Sequence, residues 1–264
     1  MIATMITTAR RTPTATVSTE LHRPAARPAH PAGDGFAAGV LGTFVAFALL
    51  DGVLRARVQR RRTGDSGVRR PVTGEQWAAR LTFAAGLLTT GAASPIVEIG
   101  GRAPLGALDR TALRRSGLGL AVAGMAAVFA AQQAMGDSWR TTVAPHERPA
   151  LVTTGPFRHV RNPIYTAVMV MAGGFALAVP NPVSLVGLTM VVVGSHWQVR
   201  RIEEPYLLHT HPQTYPAYAR RVGRFFPRAT FAVRGTTRRP AQPVRGRRPA
   251  PPVEPTDLPT RGET

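Results

Sequence analysis

From Asn162 to Val199 the chain runs for 38 residues without an Asp, Glu, Lys or Arg. A helix in a soluble protein carries a polar face at a period of 3.6 residues, and nothing in this run supplies one. The run is also too long for one membrane helix, which needs about 20 mostly apolar residues, range roughly 17 to 25. Pro180-Asn181-Pro182 stands at its middle and reads as a turn, leaving arms of 18 and 17 residues on either side. Each arm reaches about 26 Å as a helix. The run is therefore a tight transmembrane hairpin.

Three further stretches are free of charge: Gly35 to Leu50, Leu81 to Val97 and Ser116 to Gly136. With the hairpin they predict an all-α, polytopic helix bundle of about five transmembrane helices, followed by cytosolic carboxyl-terminal helices. Three of the spans fall within residues 34–135, and the hairpin within 136–227. Small residues crowd the spans, as in Gly35-Phe36-Ala37-Ala38-Gly39, which suits close helix packing in lipid. The near-zero mean hydropathy averages over this segregation and carries no class information.

The charge is carried by 33 Arg and no Lys against 14 acids, for a net +19, and there is no Cys. A P-loop lysine, a lysine Schiff base, a cysteine nucleophile and a disulfide scaffold are thereby excluded. The Arg residues alternate between the segments that join the spans. Eight lie in Asp51 to Arg80, four in Asp137 to Arg161 and thirteen after Val199; four precede Gly35, four lie in Glu98 to Arg115, and the hairpin tip has none. The positive-inside rule then places the carboxyl terminus in the cytoplasm, the tip at Asn181 outside, and the protein in the plasma (inner) membrane. Residues 1–33 and 228–264 are rich in Arg and Pro with few large apolar groups, the composition of disordered arms. Anionic lipid headgroups are the natural partners of such a basic juxtamembrane tail, and nucleic acid is not, because no aromatic follows Phe231 to stack on bases.

Polar residues gather at two membrane boundaries, which the hairpin returns to the same face. The first holds Gly155-Pro156-Phe157-Arg158-His159-Val160-Arg161-Asn162-Pro163-Ile164-Tyr165, with Asn162 as the expected cap and Pro163 at the first helical position. The second holds Arg200-Arg201-Ile202-Glu203-Glu204, then Tyr215, Tyr218, Arg221 and Arg224-Phe225-Phe226-Pro227. Two carboxylates at the mouth of a span are expected only where they are paired or functional. His209-Thr210-His211 lacks a third ligand at metal spacing, so no metal is expected. His196, inside the last span, reads as a hydrogen-bonded packing residue. No Gly-rich strand-to-helix turn marks a soluble nucleotide-binding domain.

The order of these elements resembles the isoprenylcysteine carboxyl methyltransferase family of membrane methyltransferases, which includes bacterial phospholipid methyltransferase-like proteins. The resemblance runs from Gly136 to Pro227, through Gly136-Asp137-Ser138-Trp139-Arg140, Leu151-Val152-Thr153-Thr154-Gly155-Pro156-Phe157, Arg161-Asn162-Pro163-Ile164-Tyr165, the hairpin, Glu203-Glu204 with Leu207, Tyr215 and Tyr218, and Arg224-Phe225-Phe226-Pro227. It implies S-adenosyl-L-methionine as cofactor, in a pocket lined by Pro149, Ala150, Leu151, Val152, Phe157, Asn162, Pro163, Ile164, Tyr165 and Glu203, and a lipophilic small-molecule substrate. Two departures stand out. Asn162 replaces the family's frequent His, and His209-Thr210-His211-Pro212-Gln213 replaces the usual Phe-Gly ahead of Tyr215, which leaves the shape of the closing lid open.

The residue chemistry agrees with that implication. Arg161 offers a cation for the cofactor's carboxylate, Glu203 a carboxylate for its ammonium or hydroxyls, and Phe157 or Tyr165 an aromatic wall. Arg161 and Glu204 are the candidate catalytic residues, with Glu204 or a nearby His as base should the acceptor be an amine. A carboxylate acceptor would need no base. The acceptor remains open among a prenylcysteine-like or isoprenoid carboxylate, a phospholipid amine and other lipophiles, as does oligomeric state. Two other classes fit the same segments: a nicotinamide-dependent membrane reductase and a non-catalytic membrane adaptor.

Overall fold

The computed structural model describes residues 31–142 and 147–228. The two arms beyond them, 1–30 and 229–264, lie outside the described residues. Among the described residues the regular structure is helical apart from one isolated parallel bridge between Val160 and Gly223. Helix α1 (Pro31–Leu49) continues through a widened π-helical turn, Leu50–Leu54, into α2 (Arg55–Thr63). Gly64, at φ +76°, ends that rod in the left-handed conformation that glycine adopts at helix ends. Helix α3 (Gly74–Leu88) starts on Thr73, whose side chain accepts the Gln76 N–H, and passes through a second π-helical turn, Thr89–Ala93, into α4 (Ser94–Ile99). Helix α5 (Thr111–Met135), the hairpin α6 (Pro163–Ala178) and α7 (Pro182–Trp197), a third π-helical turn Gln198–Glu203, α8 (Glu204–Thr210) and α9 (Thr214–Arg221) complete the order.

Among the described residues, four rods are long and apolar enough to cross a membrane: Gly35–Thr63, Gly74–Ile99, Thr111–Ser138 and Pro182–Thr210. Helix α6 is apolar but has only 16 residues. That is about 24 Å of helix, shorter than the ~30 Å hydrocarbon core. The four charge-free runs of the sequence thus hold five helices, four of them spanning by length and the fifth short.

The helices approach closely wherever glycines face each other. A Cβ on Gly174 of α6 would stand 2.4 Å from the Ala121 nitrogen of α5, and one on Gly124 of α5 would stand 2.6 Å from the Met171 nitrogen of α6. The same device joins α3 to α7, where Gly86 and Gly187 face Val191 and Thr90 at 2.6 and 2.5 Å. Backbone-to-backbone contact of this kind replaces the hydrophobic drive that lipid cannot supply.

The hairpin tip is not the free loop its composition suggests. Asn181 caps α7 reciprocally with Ser184, and its Nδ2 donates to the Ser94 carbonyl at 3.1 Å. Leu105 N–H donates to the Pro180 carbonyl at 2.6 Å. Asn181 is 1% exposed as a result. Arg114 secures the same end from within. It is buried, donates to the Ala178 carbonyl at 2.9 Å, and is paired with Glu98 and Asp109.

These contacts decide where sidedness should be probed. A cysteine at Asn181 would be shielded, whereas Ala107, in the exposed loop that covers the tip, and Gln213, at the other end, are both open. If the carboxyl terminus is cytoplasmic, Ala107→Cys should react in intact cells with a membrane-impermeant maleimide and Gln213→Cys only after permeabilisation. The reverse pattern would invert the orientation.

Candidate functional site

At the end of the bundle away from the hairpin tip, the segments 147–162 and 203–226 close on one another. The Arg161 N–H donates to the Gly223 carbonyl at 2.8 Å, and the Asn162 N–H and Nδ2 both donate to the Arg224 carbonyl at 3.1 Å. Thr166 Oγ1 donates to the Phe225 carbonyl at 3.0 Å, and Tyr218 Oη to the Phe157 carbonyl at 2.6 Å. Asn162 does precede α6, with Pro163 in its first turn, but its side chain makes no cap hydrogen bond. The Arg224 carbonyl takes that amide instead. Gly223 permits the crossing, since a Cβ there would lie 1.9 Å from the Phe226 carbonyl oxygen.

Under this closure lies a cavity of about 340 Å³. That volume falls within the range of small-molecule sites, roughly 300–1,000 Å³. Pro149, Ala150, Leu151, Val152, Phe157, Asn162, Pro163, Ile164, Tyr165 and Glu203, ten residues spread over 55 positions of sequence, all line it, and so does Arg161. Glu204 does not. The π-helical turn before it places Glu203 toward the cavity, where Oε1 accepts from Tyr165 Oη at 2.6 Å and from Gln198 Nε2 at 3.3 Å. Such turns recur where a helix must re-aim functional side chains. Tyr165 is held in turn by edge-on contact with Phe83, ring centres 5.9 Å apart.

Glu204 instead lies between two guanidinium groups. Arg161 reaches its Oε1 at 2.7 Å, and Arg224 grips both oxygens at 2.8 and 2.7 Å. Arg161 also donates to the Ala219 and Val222 carbonyls at 2.9 and 2.8 Å, while its buried Nε has no hydrogen-bond partner. A carboxylate engaged by two cations is poorly disposed to take a proton; it is well disposed to fix Arg161. Tyr215 and Tyr218 pack into the same closure, and burial pushes both hydroxyls up to about 12.

Glu147, Asp51 and Gln132 are among the polar cavity residues that escaped sequence reasoning. Glu147 accepts from Arg69 Nε at 2.5 Å and from Arg140 Nε at 2.8 Å, and its carbonyl accepts from Tyr206 Oη. Arg69 is also paired with Asp65, so the Glu147 carboxylate ties the loop before α3 to the segment that holds Arg140. Asp51 and Gln132, hydrogen-bonded to each other, line the cavity from the α1–α2 turn and from α5. Their separations along the chain, 78 residues for Arg69–Glu147 and 81 for Asp51–Gln132, leave no local signal. The lid does have an explanation. His211, in the departure from the family pattern, puts Nε2 3.1 Å from the Pro149 carbonyl, tying the α8–α9 turn to the cavity wall. His196 lies off the cavity, its Nδ1 3.0 Å from the Val192 carbonyl and its ring against Phe225.

The Glu147 cluster has a pH signature. Burial raises the Glu147 carboxyl, but the hydrogen bonds from Arg69 and Arg140 outweigh it and hold the group below the usual carboxylate range. Asp65 is held low too, first by its hydrogen bonds from Arg69. A carboxyl depressed on folding contributes stability above its unfolded value and loses it as pH falls through the folded one. Acidification below the ordinary carboxylate range is therefore expected to lower amide-exchange protection, relative to the intrinsic rate at each pH, in 65–70 and 139–142. Glu147→Gln should produce the same loss of protection at pH 7.

Residues 113–214 match the phospholipid methyltransferase family. No curated protein and no solved structure matches the chain. The matched stretch begins in α5, contains the whole hairpin and ends in α9, and it carries most of the cavity wall. Residues 113–214 are thus similar to the phospholipid methyltransferase family, and they lie in a bundle of apolar helices.

Proposed function

We propose that the chain is an integral membrane methyltransferase that uses S-adenosyl-L-methionine to methylate a lipophilic acceptor at the cytosolic membrane face. The observation that carries this reading is convergence: a cation, a carboxylate, an aromatic pair and an apolar slot, dispersed along the sequence, line one cavity at the end of the bundle. The donor set fits the cofactor. The buried, unpartnered Nε of Arg161 suits an anionic group, Glu203 retains Oε2 for a cation or hydroxyl, and Phe157 and Tyr165 suit a flat ring. When bound, the cofactor supplies an electrophilic methyl group: a bond forms from the acceptor's oxygen or nitrogen to that carbon, the carbon–sulfur bond breaks, and its electron pair stays on sulfur.

The chain's own residues orient and dry the site. Arg161 is held rigid by Glu204 and the Ala219 and Val222 carbonyls, so it presents a fixed charge with little entropy left to lose. Glu204 and Arg224 are positioning residues for Arg161. The interlock of 222–226 with 160–166 excludes water from the reacting atoms.

The test is cofactor binding. S-adenosylhomocysteine is expected to raise the melting temperature of the purified protein, and a reduced nicotinamide nucleotide is not. Glu203→Gln should weaken S-adenosylhomocysteine by ~1.5 to 3 kcal/mol, the range for hydrogen bonds to charged groups, as read by calorimetry. Unchanged binding by Glu203→Gln would return this residue to a structural contact with Tyr165.

A further inference from the structure

Residues 222–226 form the clasp that closes the cavity, and one member of it is out of place. Phe226 is 76% exposed, the most open large apolar side chain among the described residues. The closure does not use its ring. Residues 161, 162 and 166 engage the carbonyls of Gly223, Arg224 and Phe225, and the ring of Phe225 is buried against His196 at 4.6 Å. These contacts also fix the depth of the clasp. His196 stands in the last turn of α7 and Thr166 in the first turn of α6, so 224–226 lie level with the ends of two apolar helices. At that level an exposed aromatic ring meets the boundary between headgroups and acyl chains.

Around this ring the charge is of one sign. Residues 205–228 hold four Arg and no acid. Arg224 is engaged by Glu204, whereas Arg220, Arg221 and Arg228 are exposed and form no ion pair among the described residues. Arg228 donates back to the Arg220 carbonyl, which gathers this charge at the carboxyl end of α9. An aromatic ring inside an unneutralised basic rim, at the membrane boundary, complements an anionic lipid surface: the ring enters beneath the headgroups and the guanidinium groups meet the phosphates. We propose that the clasp docks on anionic lipid through Phe226, Arg220, Arg221 and Arg228, and that docking holds the cavity shut, so that the charge of the surrounding membrane regulates the site. The shift follows because an open clasp withdraws these side chains from the surface, and lipid then favours the closed state. What closure does for the ligand rests on the methyltransferase reading; the docking does not.

The experiment uses the full chain in nanodiscs of phosphatidylcholine, alone or with about one third phosphatidylglycerol, and reads amide-exchange protection. Anionic lipid is expected to raise protection of 215–226 about tenfold and leave α5 and α6 unchanged. Concentrated salt should erase the gain. Phe226→Ser and the triple variant Arg220→Gln, Arg221→Gln, Arg228→Gln should each match wild type in phosphatidylcholine and lose most of the gain in anionic discs. Residues 229–264 are present throughout, so their arginines cannot account for that loss. Phe226→Trp, read against the three native tryptophans, should be quenched by lipid brominated high on the acyl chain. In wild type, S-adenosylhomocysteine should bind several-fold more tightly in the anionic discs. Equal or lower protection of 215–226 in anionic lipid, or a gain that survives both variants because the tail or a second copy of the chain covers Phe226, overturns the proposal. A lipid-dependent gain that needs Phe226, with S-adenosylhomocysteine bound in neither disc, overturns the cofactor reading and supports the docking surface.

Discussion

Replacing Glu204 by Leu is expected to free the carboxyl-terminal closure and abolish cofactor binding while the apolar helices remain inserted. Glu204 is the only carboxylate that Arg161 and Arg224 pair with among the described residues, and Arg161 and Glu204 are just 10% and 14% exposed. Removing one partner from a buried charge pair costs about 3 to 5 kcal/mol, because the stranded charge cannot recover its water. The loss should be localised. Hydrogen exchange should rise across 215–226 and 157–162 and stay unchanged in α5 and α6. Glu204→Gln retains hydrogen-bond acceptors and should do less harm than Leu. Should Glu204→Leu bind S-adenosylhomocysteine normally, Arg161 does not need the clamp.

The second large effect is expected at the helix contacts. Gly174→Val places a branched side chain where a single Cβ already lies 2.4 Å from backbone of α5. Backbone cannot rotate away as a side chain can, so the helices must separate along a seam that also includes Gly117 and Gly124. Overpacking costs typically 1 to 3 kcal/mol where side chains can adjust, and more is expected here. Gly173→Val, one position along, meets nothing within 4 Å and should be tolerated. A comparable loss of folded yield in both variants, followed by detergent-resistant folding or size-exclusion profiles, would rule out the backbone seam as the cause.

The legible parts of this molecule were those encoded by local contrast. Pro180 and Pro182 bracket a break in an otherwise charge-free run, and a hairpin forms there. Glu203 was visible because a carboxylate at the end of an apolar span is out of place, and it lines the cavity. What stayed hidden was set by distance along the chain or by backbone detail. Glu147 looks like one more surface acid until Arg69 folds back from 78 residues away. Asp51 reads as the end of a span because no neighbour shows that the helix continues to Thr63. The division of labour between Glu203 and Glu204 depends on a π-helical turn, and adjacent identical residues carry no sequence mark that tells which one faces inward. The tip of the hairpin reads as a turn outside the membrane from its lack of charge, but Ser94 and Leu105 cover it with hydrogen bonds that no periodicity encodes.

The pairing of Val160 with Gly223 also joins the two flanks of the hairpin across 63 positions of sequence. One flank precedes α6 and the other follows α7, so the two can meet only when the hairpin has folded back on itself. The clasp therefore couples closure of the cavity to completion of the hairpin, and a change that splays α6 from α7 should open the cavity without touching its lining.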